Sequence, residues 1–342
     1  MKKILILILF ALFAAFSYSQ TKVGTTSANF LSIPVGPRAT AMGGAFTAVA
    51  NDATTAYWNA GGLSRVPRSE LTFAYTEWLV QTHFNWLSFV FKLDDNNSFS
   101  MFINQLDYGE EEVTVPSQPN GTGDKWKAED LAFGISYARN LTDRFSIGGT
   151  VKYISQSIWN ESATAWAVDV GLLFYTPLDG LSLGVNISNF GTEMQLEGRD
   201  LLLPADIDPA NTGNNANISS TLLTDPWPLP LDFAVGVAYN AADNEEWKFT
   251  LATDVHVPSN QSTYFNFGSE LIWNQVISLR AGYNKLLLVE SDSPFTSNGE
   301  TGLTAGVGLQ YDFGGFFAKF DYSYSDFGIF DSISRFSLSV GI

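Results

Sequence analysis

The chain has 342 residues and no cysteine, with 18 Lys and Arg against 35 Asp and Glu, a formal charge of −17. Without thiols, cysteine catalysis, thiolate metal sites and disulfide frameworks are excluded. The acidic balance argues against nucleic acid and anionic substrates as partners. Charged residues are only 15% and aromatic residues 14%, with 29 Gly, a composition foreign to a domain that faces water on all sides.

In chain order, Lys2 and Lys3 precede an apolar run from Ile4 to Phe16 and then Ser17-Tyr18-Ser19. This is the pattern of a secretory signal peptide over residues 1–19, with cleavage expected after Ser19. The run is shorter than the roughly 20 residues a membrane helix needs. Losing Lys2 and Lys3 leaves 16 basic against 35 acidic residues, a charge of −19.

Residues 20–67 do not alternate in hydrophobicity. They are rich in Gly, Ala and Thr and punctuated by Pro34, Pro37, Gly43-Gly44 and Gly61-Gly62. Asp52 suits the N-cap of a short helix over Ala53 to Tyr57. Such a segment packs tightly and is expected to plug the barrel that follows. Arg38 is expected to pair with an acidic residue of the lumen face, where Asp169, Asp232, Asp254, Glu270, Asp312 and Asp321 are available.

Residues 68–342 break into segments with an apolar residue at every second position, the period of a β-strand. Leu303, Ala305, Val307, Leu309, Tyr311 and Phe313 form one such row, and Phe336, Leu338, Val340 and Ile342 form the last. The opposite rows are small and sparsely charged: Gly, Ser, Thr, Asn and Asp. A soluble sandwich would show Lys and Glu there. The pattern instead predicts an all-β fold, a transmembrane antiparallel barrel of about 14 strands with an apolar lipid face, a polar lumen, and aromatic girdles at Tyr239, Trp247, Trp273, Tyr283 and Phe313. Backbone groups in lipid must all be paired, so the sheet must close. The long connections 108–128, 191–228 and 286–300 all follow odd-numbered strands and the short turns follow even ones, the asymmetry of extracellular loops and periplasmic turns.

Within the plug, the stretch Gly36-Pro37-Arg38-Ala39-Thr40-Ala41-Met42-Gly43-Gly44, with Asp52 and Tyr57-Trp58-Asn59-Ala60-Gly61-Gly62-Leu63 further on, resembles the N-terminal signature of the PorV/PorQ family of FadL-like outer-membrane barrels. The likeness covers roughly residues 33–66. Where that family usually has Asn-Pro-Ala, this chain has Asn59-Ala60-Gly61. The resemblance implies an outer-membrane location in a Gram-negative bacterium of the Bacteroidota. It also implies one of two roles. PorV-like proteins act in type IX secretion, binding the translocon and exported cargo that carries C-terminal signal domains. FadL-like proteins take up hydrophobic small molecules.

The apolar residues Leu201, Leu202, Leu203, Leu222, Leu223 and Trp227 in the longest loop are candidates to receive either a protein partner or a ligand, and the polar lumen rows favour the partner. The aromatic rows are read as contacts with outer-membrane lipid. No catalytic, cofactor or metal site is expected. His83 and His256 lie on different predicted strands, no G-x-S-x-G, H-E-x-x-H or P-loop string occurs, and Asp107 with Glu110, Glu111 and Glu112, like Asp206 and Asp208, lacks the spacing of a calcium loop.

Overall fold

The computed structural model describes residues 24–206, 208, 210–211, 217–287, 302–330 and 332–342. The expected signal peptide lies outside them, as does nearly all of the 286–300 connection.

Fourteen antiparallel strands form the barrel: β1 Glu70–Glu77, β2 His83–Lys92, β3 Asn97–Glu112, β4 Lys125–Thr142, β5 Phe145–Ile158, β6 Glu161–Tyr175, β7 Leu181–Gly191, β8 Asp232–Asp243, β9 Trp247–Pro258, β10 Tyr264–Trp273, β11 Ile277–Leu287, β12 Leu303–Asp312, β13 Phe317–Asp326 and β14 Ser332–Gly341. Each pairs with its neighbours in sequence, and β1 pairs with β14 from Glu70 opposite Gly341 to Thr76 opposite Arg335, which closes the sheet. No edge is left, as a sheet in lipid requires.

Alternation decides which face each residue takes. Leu71 and Phe73 on β1, Leu87, Phe89 and Phe91 on β2, and Leu338 and Val340 on β14 are exposed on the outer wall, while Thr72, Ser88 and Ser339 point inward and are buried. Trp247 and Trp273 stack side by side with centroids 6.1 Å apart, and Tyr311, Phe313 and Phe316 cluster beside the turn between β12 and β13. These aromatics mark the short-turn rim.

The loop asymmetry stands, with changed boundaries. Strands β3 and β4 run on beyond the predicted ends through the pairs Glu110–Lys127, Glu111–Trp126 and Glu112–Lys125, so the 108–128 connection shrinks to residues 113–124. The acidic cluster therefore lies on a projecting hairpin, where opposite-charge pairs across the strands support it: Lys125 Nζ is 3.5 Å from Glu110. The 191–228 loop is also structured. Met194 and Trp227 exchange backbone hydrogen bonds of 2.8 Å each way, and Leu202–Ala205 pairs with Ile218–Thr221. Met194 and Leu229 turn inward and close the barrel mouth, buried to 2% and 4% exposure.

Candidate functional site

The N-terminal segment threads the lumen from the long-loop end to the short-turn end. At the former, the Ser27 amide donates to the Pro228 carbonyl (2.9 Å) and the Ala28 amide to Gln156 Oε1 (3.0 Å). At the latter, the Arg65 guanidinium donates to the carbonyls of Asp143 (2.9 Å) and Thr142 (3.2 Å). Between them lie a short helix α1 (Pro37–Ala41), a second α2 (Thr55–Trp58) and a 3-10 turn over Ala60–Arg65.

The predicted helix over Ala53 to Tyr57 is thus shifted to Thr55–Trp58, and Asp52 does not cap it. Its carboxylate instead accepts from the Thr54 amide (2.9 Å) and hydroxyl (2.6 Å) and faces charged partners. Its Oδ1 serves this local turn while Oδ2 faces Arg38 and Lys319.

The plug lies directly against the wall because the wall has glycine there. A Cβ on Gly184 would sit 2.1 Å from the Thr47 carbonyl, one on Gly268 would be 2.3 Å from the Met42 carbonyl, and one on Gly282 would be 2.3 Å from the Gly43 nitrogen. Gly43 and Gly44 turn with φ of +65° and +80°, a region that L side chains avoid. Gly36 turns likewise at φ +79° to start α1, with Pro37 in its first turn. Wall side chains bind the plug's free backbone. Asp254 accepts from the amides of Phe46 (2.9 Å) and Thr47 (2.8 Å), and Thr304 Oγ1 accepts from the Gly43 amide (3.0 Å).

Of the plug motif's side chains, Trp58 donates its indole hydrogen to the Val35 carbonyl (3.0 Å), Met42 is fully buried, and Asn59 is a hub. The Asn59 amide donates to the carbonyls of Thr47 (2.7 Å) and Leu172 (2.9 Å) while its oxygen accepts from the Gly61 amide (2.9 Å), tying two turns of plug to the wall. Gly61 abuts the Gly171 carbonyl, where a Cβ would sit at 2.7 Å, so a glycine is needed in the third place of Asn59-Ala60-Gly61. Asn59→Ala takes the partner from two buried backbone groups, the Thr47 carbonyl and the Gly61 amide, at about 1 kcal/mol or more each, while Leu172 keeps its place in the strand ladder. A loss of roughly 2 kcal/mol in denaturant unfolding of the refolded barrel is the expected result.

Arg38 does find a lumen carboxylate. Its Nε and Nη2 donate to both oxygens of Glu270 (2.8 and 2.7 Å), and Nη1 reaches Asp52 (3.0 Å). The same Glu270 accepts from Arg280 (2.7 Å), which donates to Asp321 (2.7 Å); Asp321 meets Lys319 (3.0 Å), and Lys319 lies 3.9 Å from Asp52. Three cations and three carboxylates thus alternate in a closed ring that joins the plug to β10, β11 and β13. Burial alone would push the Asp52 carboxyl up, but Lys319 and Arg38 together hold it below the usual carboxylate range. The other acids named from sequence are engaged elsewhere: Asp169 with Lys152 (2.8 Å), Asp232 with His256 (2.7 Å), Asp254 with the plug amides, and Asp312 with Arg68 (3.0 Å). His83 meets the Tyr75 hydroxyl on the outer rim (2.8 Å).

The lumen is not uniformly polar, and this corrects the expectation from sequence. On the β1–β6 side the inward row carries Phe84, Trp86, Phe102, Leu106 and Ile154, all at 4% exposure or less. With Phe30, Leu31, Ile33 and Val35 of the plug and Met194 and Leu229 of the long loop, they form one apolar cluster at the long-loop end. Trp86 stacks on Phe102 at 4.4 Å, and Tyr57 meets Trp86 edge-on at 6.0 Å. Phe84 and Trp86 lie on β2, whose outer row of Leu87, Phe89 and Phe91 is apolar too, so alternation alone does not mark its inner row as a site. A small cavity of about 90 Å³ adjoins the cluster, lined by Leu31, Tyr57, Trp58, Phe102, Asp232, His256 and Arg335 among others. The loop candidates divide: Leu201 is half-buried, while Leu202, Leu203, Leu222, Leu223 and Trp227 stay exposed on the loop and line no part of the lumen.

Fold and lumen together define a plugged, fourteen-stranded antiparallel transmembrane barrel. The sequence matches the uncharacterised protein family UPF0164 over residues 11–188, more than half the chain, and the protein belongs to that family. A UPF0164 protein of Treponema pallidum is 24% identical over 196 residues, 54% of this chain; the chain spans 60% of that relative's length. Among solved structures, the CymD monoaromatic hydrocarbon channel superposes with a TM-score of 0.55 at 12% identity, covering 90% of this chain and 96% of CymD. The Pseudomonas putida toluene transporter TodX gives 0.54 at 14% identity, covering 90% and 96%. At such identities the likeness is one of fold. The PorV/PorQ resemblance remains a likeness of the 33–66 motif.

Proposed function

We propose that this protein is an outer-membrane channel of a Gram-negative bacterium through which small apolar molecules enter by way of the barrel lumen. The observation that carries this reading is the apolar cluster at the long-loop end, where Phe84, Trp86, Phe102, Leu106 and Ile154 face inward rather than toward lipid. The plug residues Phe30, Leu31, Ile33 and Val35 cover much of this wall, and a cavity of about 90 Å³ lies beside it, bordered by Leu31, Tyr57 and Phe102. An apolar wall with a few polar groups is what a site for small hydrophobic molecules requires. The two solved relatives named above are a hydrocarbon channel and a toluene transporter, which agrees with this reading. The type IX secretion role has no comparable support: its candidate surface reduces to the exposed leucines and Trp227 of one loop.

The test is uptake of radiolabelled ethylbenzene by Gram-negative cells expressing the protein, against cells expressing an unrelated barrel at equal abundance. Several-fold faster uptake is expected. Equal rates, with the protein folded in the outer membrane, would remove the channel reading, and copurification of a secretion translocon or its exported proteins would replace it with the secretory one.

A further inference from the structure

We infer that the lipid-facing wall across β8–β12 carries a preformed trough that holds one acyl chain of a phospholipid from the periplasmic leaflet more firmly than the surrounding bilayer does. The inference concerns the outside of the barrel and stands whatever passes through the lumen.

Two outward rungs of side chains bound a trough of about 640 Å³ on this wall. The lower rung is Tyr239, Leu251, Ser269 and Ala281, paired in that order from β8 to β11. The upper rung is Val237, Thr253, Phe267, Tyr283 and Leu303, paired from β8 to β12. Between the rungs Ala252, Gly268 and Gly282 face inward, so their backbone forms the floor. On β1 and β2 large side chains fill the wall in succession, with Leu71 and Phe73, then Leu87, Phe89 and Phe91. Here the small residues Thr253, Ser269 and Ala281 break that run. The plug backs the floor from inside: a Cβ on Gly268 would meet the Met42 carbonyl at 2.3 Å, and one on Gly282 the Gly43 nitrogen at 2.3 Å. One layer of backbone therefore separates trough from plug, and the floor cannot yield inward. A site that is already formed asks less ordering of its occupant.

The position and shape of the trough set its occupant. It is a recess in the face that already meets bilayer hydrocarbon, and Ser269 gives its hydroxyl hydrogen to the Ala281 carbonyl (3.1 Å), so the surface on offer is apolar. The rungs are two residues apart, about 7 Å between rows of Cα atoms, which suits one methylene chain better than the side chains of a neighbouring protein. Five strands about 4.8 Å apart make the trough about 19 Å long. With strands tilted by about 35–45°, a trough across them descends about 11–13 Å, close to the roughly 15 Å of hydrocarbon in one leaflet. On β9, β10 and β11 the lower rung is the fifth residue from the short-turn end, about 13 Å along the strand from the rim that Trp247 and Trp273 mark. A chain anchored at that rim belongs to the periplasmic leaflet, which in an outer membrane is phospholipid. Apolar surfaces gain nothing from leaving water inside a bilayer, so close packing decides. A chain in the trough touches a floor and two walls, where a flat wall would touch it on one side.

The test is native mass spectrometry of the full-length barrel equilibrated with mixed micelles of an uncharged detergent and palmitoyl-oleoyl-phosphatidylethanolamine. One lipid per barrel is expected to stay bound after the detergent has been stripped. Ala281→Phe lays a ring in the trough from the lipid side and is expected to lower the retained fraction several-fold. Val168→Phe, an outward change on β6, is the control and should retain lipid as the wild type does. If Ala281→Phe does not refold, Ser269→Ile decides, since it fills the same trough with a residue suited to a strand. Retention of no lipid by the wild type, undiminished retention by the trough variant, or equal loss from Val168→Phe overturns the assignment. So does a dimer that forms without lipid and is broken by Ala281→Phe, which would give the trough to a second copy of the chain. Preferential retention of lipid A, when both lipids are offered, overturns the choice of a phospholipid.

Discussion

Replacing Glu270 with alanine is expected to cost about 3–5 kcal/mol of barrel stability and to free the plug, because it takes a carboxylate from two buried guanidinium groups at once and leaves three cations to share Asp52 and Asp321. Arg38 gives Glu270 two hydrogen bonds and Arg280 gives it one, all at 2.7–2.8 Å in a site of 1% exposure. Arg38→Ala should cost less, since Glu270 keeps Arg280 and Asp52 keeps Lys319 as a neighbour. The measurements are the denaturant midpoint of the refolded protein and its conductance in a planar bilayer. Conductance should rise as Arg38 loses its hold on β10. If both variants matched the wild type in midpoint and conductance, the ring would not be what secures the plug. Replacing Glu270 and Arg280 together by apolar residues of similar volume should do less damage than Glu270→Ala alone, because Arg38 then keeps Asp52 and Lys319 keeps Asp321.

The second large effect is expected from Gly282→Val. A Cβ there would meet the Gly43 nitrogen at 2.3 Å, the Met42 carbonyl carbon at 2.4 Å and the Phe267 carbonyl oxygen at 2.8 Å, all backbone atoms. No rotamer change relieves such contacts, and overpacking of this kind costs about 1–3 kcal/mol or more. Valine suits a strand, so the barrel should assemble and the plug should give way at Ala41 to Gly44. Limited proteolysis should then cut between residues 36 and 66 in the folded variant and spare that stretch in the wild type. Gly149→Val is the matching control. A Cβ there meets only the Asp169 carbonyl, at 3.5 Å, so protection should be unchanged. Cleavage of both variants alike would mean that valine harms the wall rather than the plug.

The barrel was legible from sequence because a wall one residue thick, with lipid on one side and lumen on the other, imposes a period of two on every strand. Leu303 to Phe313 and Phe336 to Ile342 display it without interruption, and the parity of long and short connections fixed the direction of travel. The plug was legible as a segment, and Arg38 as its charge in need of a carboxylate. Lys152, Arg280, Lys319 and Arg335 also face the lumen, and which acid each of the first three meets is decided by distances that the sequence does not contain.

Three things the chain order could not contain. Which of six carboxylates Arg38 meets depends on how β10 and β13 are brought round the barrel, since Glu270 is 232 residues away and Asp52, its second partner, lies in the plug itself. The purpose of the many wall glycines appears only when Met42, Gly43 and Thr47 are seen pressed against Gly268, Gly282 and Gly184. The apolar inner wall was hidden because β2 is apolar on both faces, and the inner residues Trp86 and Phe102 gain their meaning from Tyr57 and Leu31 packed against them. Sequence alone determined the wall, whose solvent imposes a local pattern residue by residue. What fills the wall was decided by tertiary structure, because contacts inside a closed barrel join residues hundreds of positions apart and leave no periodic trace.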